Sequence, residues 1–484
     1  MDPVKVPAPH HAKCSDPSCL CQRITTQYDF DNPPKPQDQT SFIPPSRRSN
    51  LFYKILRAVL PSLIALQTFF NIRQVCIDEI KKVISCGDPE KGGSFLACPC
   101  CGTSKFVPFT CKSRFCPSCG NLYNMQRLVS ESNVLLDVNH FHITFTIDER
   151  LRRWFLVNRL ALNDLFDAAR DTILGYFRYG LEGYDSSTTY ARVKKKRKKN
   201  KAGKKKAQKI SFKEYIPGIV LVMHTFGRDL KWNPHVHTLC TQGAADRNGL
   251  WHNFTYIDYK YLHIVFMQKL ISLLRKRFKG NKQFHKLSSQ IYKDHPDGFH
   301  VHVDRIEKAI SDKDATSPLK KTIKYIGRYL GRPPIAMSRI DDFDEESHKV
   351  TFHYTPHEPH EELAPGEPMF ETLHMLCFAM RLIRHIPDPQ FKMIRYAGVY
   401  SSTGSKILPK HFIDLHLLFK QKSRPKRILF SHWRGAHYRT FHADPVACPN
   451  CHTLMELIYI RVGDKKHFVN KPYPRIPWSD YKAV

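Results

Sequence analysis

The sequence contains no apolar run that approaches the roughly eighteen residues that a membrane-spanning helix needs. Its first residues, MDPVKVPAPHH, also lack the apolar core of a secretory signal peptide. Both absences argue against a membrane protein or a secreted protein. We therefore expect a cytoplasmic protein, in a compartment where thiols stay reduced and disulfides are rare.

Acidic residues are scarce relative to basic ones, with 44 Asp and Glu against 76 Lys and Arg. The resulting net charge of +32 is not needed for folding, because repulsion between like charges opposes the compact state. Such an excess is typical of proteins that bind a polyanion, and nucleic acid is the commonest one. The charge therefore predicts a protein that associates with nucleic acid and not with membranes.

The composition changes along the chain, whose 484 residues suffice for two to four domains. We expect an α+β protein divided into a disordered Pro-rich arm at 1–48, a helical and zinc-binding module at 49–135, a domain of strands and helices at 136–345, and a mixed C-terminal region at 346–484. Within the third of these, the cationic tract at 193–209 reads as a disordered basic insertion, because it has nothing to bury.

Fifteen cysteines in a reducing compartment indicate metal binding rather than disulfides. The segments CPCCG and CPSCG each carry two cysteines in the C-x-x-C spacing, which is typical of a knuckle that presents two thiolates to one ion. Fourteen residues separate the two pairs, which suits a tetrahedral site. We therefore predict one structural zinc ion bound by Cys98, Cys101, Cys116 and Cys119.

The remaining cysteines give weaker signals. Cys86 and Cys111 flank the predicted site, and the sequence leaves open whether they complete a second site or only pack. Cys100 is the odd member of its knuckle, and we interpret it as a bystander. Cys448 and Cys451 form another knuckle in ACPNCH, which is half of a metal site.

Histidines recur in the pattern His-x-His, at His140/His142, His235/His237 and His300/His302. Because side chains alternate along a strand, the two imidazoles of each pair share one face. In NHFHITFTI the histidines and threonines lie on one face and the apolar residues on the other. That pattern predicts a sheet that packs on helices with one side and lines a polar site with the other.

His235 and His237 differ from the other two pairs because a third histidine is available. They lie on the second arm of a predicted hairpin, and His224 ends the first arm. If paired residue numbers add up to 459 or 461, His224 falls opposite His235 or His237 on the same face, whereas a sum of 460 turns it away. The predicted cluster of three imidazoles therefore depends on the register of the hairpin.

A helix is predicted between Ser317-Pro318, which is a favourable start, and Gly331, which is a favourable end. Tyr325 and Tyr329 lie at positions i and i+4 of this helix and therefore share a face. The helix also carries positive charge around them, at Lys324, Arg328 and Arg332. By itself this pattern also fits two half-buried tyrosines that pack under a sheet.

Taken in order, these motifs resemble the HUH-nuclease rolling-circle transposases of bacterial insertion sequences, in particular the two-tyrosine group with an N-terminal zinc-binding domain. The resemblance extends over about residues 50–455. It is carried by CPCCG, CKSRFCPSCG, FHITFTI, HTFGRDLKWNPHVH, YIGRYLGRPPIAMSRI and IRYAGVYSS. The chain departs from the family at Asn233, where another histidine often precedes the proline, and in its basic tract.

The resemblance implies a transposase that nicks and rejoins single-stranded or hairpin DNA at the ends of its element through a 5′-phosphotyrosine intermediate. It implies that His224, His235 and His237 bind a catalytic Mg²⁺ or Mn²⁺ ion, and that Tyr325 and Tyr329 are the nucleophiles. Lys324, Arg328 and Arg332 would contact DNA, and the cysteine module would bind zinc. The implied fold is an antiparallel HUH-endonuclease sheet with helices on one face.

Two other functions fit part of the sequence. A zinc-dependent DNA-binding regulator without catalytic activity would explain the charge and the cysteines, but not the histidines and the paired tyrosines. A plasmid replication initiator or relaxase of the HUH class would explain the histidines, but the zinc module and the tyrosine number argue against it. The oligomeric state, the target sequence and the order in which the tyrosines act stay open.

Overall fold

The structure is a computed structural model, and it describes residues 50–120, 135–180, 215–246, 251–254, 256–306, 333–356, 366–401 and 444–468, the isolated positions 123, 318, 321, 322, 325, 364 and 437, and the backbone of 40–41. The remainder of the predicted arm at 1–48 and the predicted basic tract at 193–209 lie outside these residues.

Helices and strands alternate irregularly along the chain, as the α+β prediction requires. The helices are α1 (Leu51–Ala65), α2 (Gln74–Ile84), α3 (Glu149–Val157), α4 (Ala161–Gly175), α5 (Tyr259–Arg277), α6 (Lys282–Asp294) and α7 (Met375–Ile383). The strands are β1 (Thr40–Ser41), β2 (Gly93–Ala97), β3 (Ser104–Pro108), β4 (His140–Phe145), β5 (Ile216–Phe226), β6 (Trp232–Ala245), β7 (Trp251–Asn253), β8 (Val301–Arg305), β9 (Ile340–Asp344), β10 (Lys349–Tyr354), β11 (Met369–His374), β12 (Ile394–Gly398), β13 (Glu456–Val462) and β14 (Lys465–Phe468).

The largest sheet is antiparallel, with the strand order β12-β5-β6-β4-β8, and β7 pairs with β6. One of its faces packs against α4 and α5 in the main hydrophobic core. Phe141, Ile143 and Phe145 of β4 all point into that core, and the ring of Phe145 lies 4.8 Å from the ring of Phe266 in α5. Burial of each such side chain contributes about 2 kcal/mol. The predicted sheet with helices on one face is confirmed.

Strands β5 and β6 form the predicted hairpin, which turns through residues 227–231. The backbone N–H of Gly227 donates to the carbonyl of Lys231 at 3.0 Å and closes the turn. His224 pairs directly with His235, so the residue numbers add up to 459. This is one of the two registers that turn all three histidines to the same face, so the condition on which the predicted imidazole cluster depended is met.

A second core surrounds α1 and α2. Asn50 caps α1 by accepting a hydrogen bond from the backbone N–H of Phe52 at 2.9 Å. The apolar stripe of α1, which includes Phe52 and Leu56, packs against α2, α7 and the three-stranded sheet β11-β10-β9. The same core contains Cys116 and Cys119, so one group of cysteines lies inside a packed interior.

Among the described residues, the C-terminal region contributes strands to sheets that also contain earlier parts of the chain. Strand β12 is the edge of the large sheet, where it pairs with β5. Strand β13 pairs with β2 and extends the N-terminal sheet, whose order is β1-β3-β2-β13-β14. The predicted boundary at residue 345 therefore does not follow the sheets, because strands from 346–484 complete sheets that begin earlier in the chain.

Candidate metal and catalytic sites

Three imidazoles meet at the end of the β5–β6 hairpin. His224, His235 and His237 each offer one ring nitrogen, and the three nitrogens lie within 4.8 Å of one another. His224 and His237 are buried and His235 is half-buried, so the group is open on one side. The strands hold the three side chains in place, which is the arrangement that an ion shared by three ligands requires.

The backbone fixes which nitrogen of His235 is available. Its Nδ1 lies 2.7 Å from the carbonyl oxygen of Asn233, which only accepts hydrogen bonds. Nδ1 therefore carries the proton, and Nε2 keeps the lone pair that a metal ion needs. That Nε2 lies 3.1 Å from Nε2 of His237. Asn233 acts here through its backbone, so the missing histidine at this position does not remove a ligand.

A hydrogen-bonded chain runs from His237 to a tyrosine hydroxyl. Nδ1 of His237 lies 3.0 Å from Nε2 of His142, and Nδ1 of His142 lies 3.1 Å from the hydroxyl of Tyr325. The Tyr325 hydroxyl donates to Oδ2 of Asp304 at 3.1 Å. Tyr325 is buried, and its contacts connect the predicted nucleophile to the predicted ligands through a single histidine.

The carboxylate of Asp304 determines which atom carries the proton in each hydrogen bond of this chain. The pKa of Asp304 is lowered to about 2, chiefly by His142, whose Nδ1 lies 3.6 Å from Oδ2, so the carboxylate is ionised and can only accept. Tyr325 therefore donates to Asp304 and accepts from Nδ1 of His142. Nε2 of His142 then accepts from Nδ1 of His237, which leaves Nε2 of His237 with its lone pair toward His235. The same tautomer suits metal binding.

Two members of this chain were not singled out as site residues from the sequence. The alternation of polar and apolar side chains along β4 places His142 on the polar face, so this residue could have been identified from the sequence. Asp304 lies directly opposite His142 because β8 pairs with β4, and that register is not readable from the sequence. Thr144 is a further neighbour, since its hydroxyl lies 3.2 Å from Nδ1 of His237.

The other His-x-His residues have different surroundings. His140 is fully buried, which lowers its pKa to about 3 and keeps it neutral. It lies 2.8 Å from the hydroxyl of Tyr400 and 3.2 Å from that of Thr322. His302 is exposed, and its Nε2 lies 2.9 Å from Oδ1 of Asp304. Neither residue belongs to the imidazole cluster.

The predicted tyrosine helix is described only at Pro318, Lys321, Thr322 and Tyr325, all of which are helical. The other predicted site residues of this helix lie outside the described residues: Lys324, Arg328, Tyr329 and Arg332. Of the predicted pair of tyrosines, the structure therefore positions Tyr325 alone.

The cysteines form two separate groups of four. One consists of Cys86, Cys111, Cys116 and Cys119, and the other of Cys98, Cys101, Cys448 and Cys451. The prediction that Cys98, Cys101, Cys116 and Cys119 share one ion is therefore wrong, because the two knuckles belong to different groups. The first knuckle joins β2 to β3 in the N-terminal sheet, whereas the second packs in the core around α1.

The group that contains Cys86 is closed. All four of its side chains are buried, and the hydroxyl of Tyr53 in α1 lies 3.3 Å from Sγ of Cys116. The backbone N–H of Cys111 donates to Sγ of Cys86 at 3.3 Å. Four buried thiolates without an open position are typical of a structural zinc site. Cys86 and Cys111 are therefore the partners that the sequence left undecided.

Comparison with known proteins gives two family matches. Residues 56–147 match the family described as "Transposase zinc-binding domain", and residues 218–406 match the family described as "Putative transposase". The first match includes every cysteine of the Cys86 group. The second includes the three histidines of the imidazole cluster and Tyr325, so both groups of predicted site residues fall inside matched segments.

Two curated relatives are similar over most of their length. The transposase for insertion sequence element IS801 of Pseudomonas savastanoi pv. phaseolicola is 27% identical over 72% of this chain and 76% of its own. "Putative transposase y4qJ" of Sinorhizobium fredii is 23% identical over 65% of this chain and 71% of its own. No solved structure matches the chain. Within the part that the structure describes, no helix combines the length and apolar character needed to cross a membrane.

Proposed function

We propose that this chain, a transposase that carries its own zinc-binding domain, cuts and rejoins DNA strands at the ends of its insertion sequence through a covalent 5′-phosphotyrosine link. The observation that carries the proposal is the chain of hydrogen bonds from Tyr325 through His142 to His237. A tyrosine that only packs under the sheet would not need a connection to a cluster of potential metal ligands.

Tyr325 is the proposed nucleophile. A phenol is a weak nucleophile until its proton is removed, and Asp304 accepts a hydrogen bond from this hydroxyl. As the Tyr325 oxygen forms its bond to phosphorus, the proton passes to Asp304. The bond from phosphorus to the 3′ oxygen breaks, and that oxygen takes a proton from solvent. The products are a 5′-phosphotyrosine and a free 3′-OH, and no water is added across the bond.

His142 stabilises the phenolate as it forms. Its Nδ1–H donates to the Tyr325 oxygen, and this hydrogen bond strengthens when the oxygen becomes negative. Because His142 is also hydrogen-bonded to His237, the attacking oxygen is held at a fixed position relative to the imidazole cluster. Such preorganisation reduces the entropic cost of in-line attack.

His224, His235 and His237 are the proposed ligands of a catalytic divalent ion, and the proximity of their ring nitrogens, within 4.8 Å of one another, fits that role. When bound, Mg²⁺ or Mn²⁺ would polarise the scissile phosphate as a Lewis acid. Three imidazoles alone favour softer metals, so phosphate oxygens and the supply of metal in the cell must contribute to the choice of ion.

The substrate is proposed to be single-stranded or hairpin DNA. A duplex hides the backbone geometry that a tyrosine needs for attack, whereas an unpaired strand exposes it. We propose Tyr329 as a second nucleophile, which captures another strand while the first link persists. Lys324, Arg328 and Arg332 would neutralise phosphates beside it, and this accords with the net charge of +32.

The test is to trap the covalent adduct on a labelled single strand that carries the element's own end. Peptide mapping should find the label on Tyr325 or Tyr329, and Tyr325→Phe combined with Tyr329→Phe should form no adduct. Tyr396→Phe serves as the matched control, because Tyr396 lies on β12 and should form the adduct at the normal level. A label on Tyr396 or Tyr400 would overturn the assignment of the nucleophile, and DNA binding without any adduct would favour a regulator.

A further inference from the structure

The second group of cysteines joins distant parts of the chain. Sγ of Cys98 lies 3.4 Å from Sγ of Cys451, and Sγ of Cys101 lies 3.4 Å from Sγ of Cys448. None of the described cysteines forms a disulfide. Four sulfurs around a zinc ion, each about 2.3 Å from the metal, lie about 3.8 Å apart, so the observed separations are close to those of a tetrahedral site.

The two knuckles of this group have the same sequence pattern. The first reads CPCCGT from Cys98 to Thr103, and the second reads CPNCHT from Cys448 to Thr453. In the first, Cys98 N–H donates to the Thr103 carbonyl at 2.9 Å; in the second, Cys448 N–H donates to the Thr453 carbonyl at the same distance, 2.9 Å. The backbone therefore folds the two segments into equivalent loops.

The equivalence extends to backbone strain and to the sulfur atoms. Gly102 and His452 follow the last cysteine of their knuckles, with φ of 73° and 58°. A positive φ is uncommon for a residue other than glycine, so His452 adopts the knuckle conformation at some cost. In each knuckle a threonine hydroxyl lies near the last thiol, 3.1 Å from Cys101 and 3.4 Å from Cys451.

Contacts around the cysteines fix the second knuckle against the first. Lys105 of β3 is buried, and its ammonium donates to the carbonyls of Asp444 and Ala447 at 2.9 and 3.1 Å. The side chain of Asn450 donates to the hydroxyl of Thr103 at 2.9 Å. A buried ammonium is costly unless it is hydrogen-bonded, and two of its acceptors come from the segment beside the second knuckle.

We propose that Cys98, Cys101, Cys448 and Cys451 bind a second structural zinc ion, which fastens the C-terminal strands β13 and β14 to the N-terminal sheet. The family match to a transposase zinc-binding domain ends at residue 147, and the match to a transposase ends at 406. Half of this site therefore lies beyond both matched segments. Only a chain that extends through Cys451 can complete it.

Metal content of the purified full-length chain tests the proposal. The wild type should contain two zinc ions per chain, and Cys448→Ser combined with Cys451→Ser should contain one. Cys377→Ser is the matched control, because Cys377 is an exposed thiol outside both groups, and it should keep both ions. Hydrogen exchange should rise at residues 444–468 in the double variant and stay unchanged in β5 and β6.

A measurement on the wild type keeps the test decisive if the double variant does not fold. Cobalt-substituted protein should show the charge-transfer and d–d absorption of tetrathiolate sites at two Co²⁺ per chain, since cobalt reports four-sulfur tetrahedral coordination directly. One ion per wild-type chain, or two ions in the folded double variant, would overturn the proposal. Neither result depends on DNA cleavage, so failure of this proposal would be distinguishable from failure of the proposed function.

Discussion

The imidazole cluster and the Cys86 group are both sets of potential metal ligands, but they differ in completeness. The cluster has three ligands, one of them half-buried, and it connects to a tyrosine hydroxyl. The Cys86 group has four buried ligands, packed beneath α1. A site with an open position can admit a substrate oxygen, whereas a closed site can only hold the fold together. The contrast fits the proposed catalytic role of the cluster and a structural role for the Cys86 group.

The largest expected effect follows loss of a ligand from the open site. His237→Ala should lower single-strand cleavage by about 10³-fold or more, because Lewis-acid activation supplies several kcal/mol to the transition state. Mn²⁺ binding, measured by electron paramagnetic resonance, should weaken in parallel. Zinc content and affinity for single-stranded DNA should stay unchanged.

The matched control for His237→Ala is His300→Ala, since His300 belongs to a His-x-His pair outside the cluster. It should retain both cleavage and Mn²⁺ binding. If His300→Ala were as inactive as His237→Ala, the assignment of the open site to the β5–β6 hairpin would be wrong. If His237→Ala lost zinc rather than Mn²⁺ affinity, the division between the open and closed sites would fail.

The next effect concerns the proposed proton acceptor. Asp304→Asn should lower cleavage by about 10²–10⁴-fold, the range that general-base catalysis contributes, with Mn²⁺ affinity less affected. Since the pKa of Asp304 is lowered to about 2 in the fold, its contribution to stability is present above the unfolded value of about 4 and is lost as pH falls toward 2.

Asp304→Asn should therefore lack that acid-dependent component of stability, which thermal unfolding at a series of pH values would measure. The control is Asp342→Asn, because Asp342 is an exposed carboxylate on β9, which belongs to a different sheet from the strand β8 that carries Asp304. Retention of full cleavage by Asp304→Asn would show that the tyrosine loses its proton to another acceptor.

A smaller effect is expected for the residue that connects the tyrosine to the cluster. His142→Ala removes the acceptor for Nδ1–H of His237, and loss of such an outer-sphere partner typically lowers metal affinity 10–100-fold. Cleavage should fall by a similar factor and recover in part at raised Mn²⁺ concentration. Equal losses at every Mn²⁺ concentration would mean that His142 acts on Tyr325 alone.

The sequence predicts the imidazole cluster but not the grouping of the cysteines. Fewer than fifteen residues separate His224 from His237, and a hairpin with alternating faces leaves only two registers that bring them together, so the imidazole cluster was predictable. The pairing of cysteines was not, because Cys98 and Cys448 meet through a sheet contact between β2 and β13. A C-x-x-C spacing identifies a knuckle, but not its partner.

Asp304 illustrates the same limit at shorter range. Its position opposite His142 depends on the register between β4 and β8, which are separated by the β5–β6 hairpin, β7 and four helices. Neither strand carries a turn that fixes the other, so no local pattern sets the pairing. The sequence shows a carboxylate at this position, but only the fold shows that it lies beside His142.

The smallest effect is expected at Tyr400, which resembles Tyr325 in burial and in having a histidine partner. Its hydroxyl accepts from the backbone N–H of Leu136 at 3.2 Å and lies 2.8 Å from Nε2 of His140, which is not a member of the imidazole cluster. Its ring covers Gly218 of β5, where a Cβ atom would lie 2.5 Å from the ring.

Tyr400→Phe should keep that packing and lose both hydrogen bonds, at a cost of about 1–3 kcal/mol in the free energy of unfolding. Cleavage per folded molecule should be unchanged, as measured by adduct formation at a temperature well below the unfolding midpoint. If Tyr400→Phe lost cleavage while keeping stability, a buried tyrosine beside a histidine would not distinguish structure from catalysis here, and the hydrogen-bonded connection to His237 would no longer identify the nucleophile.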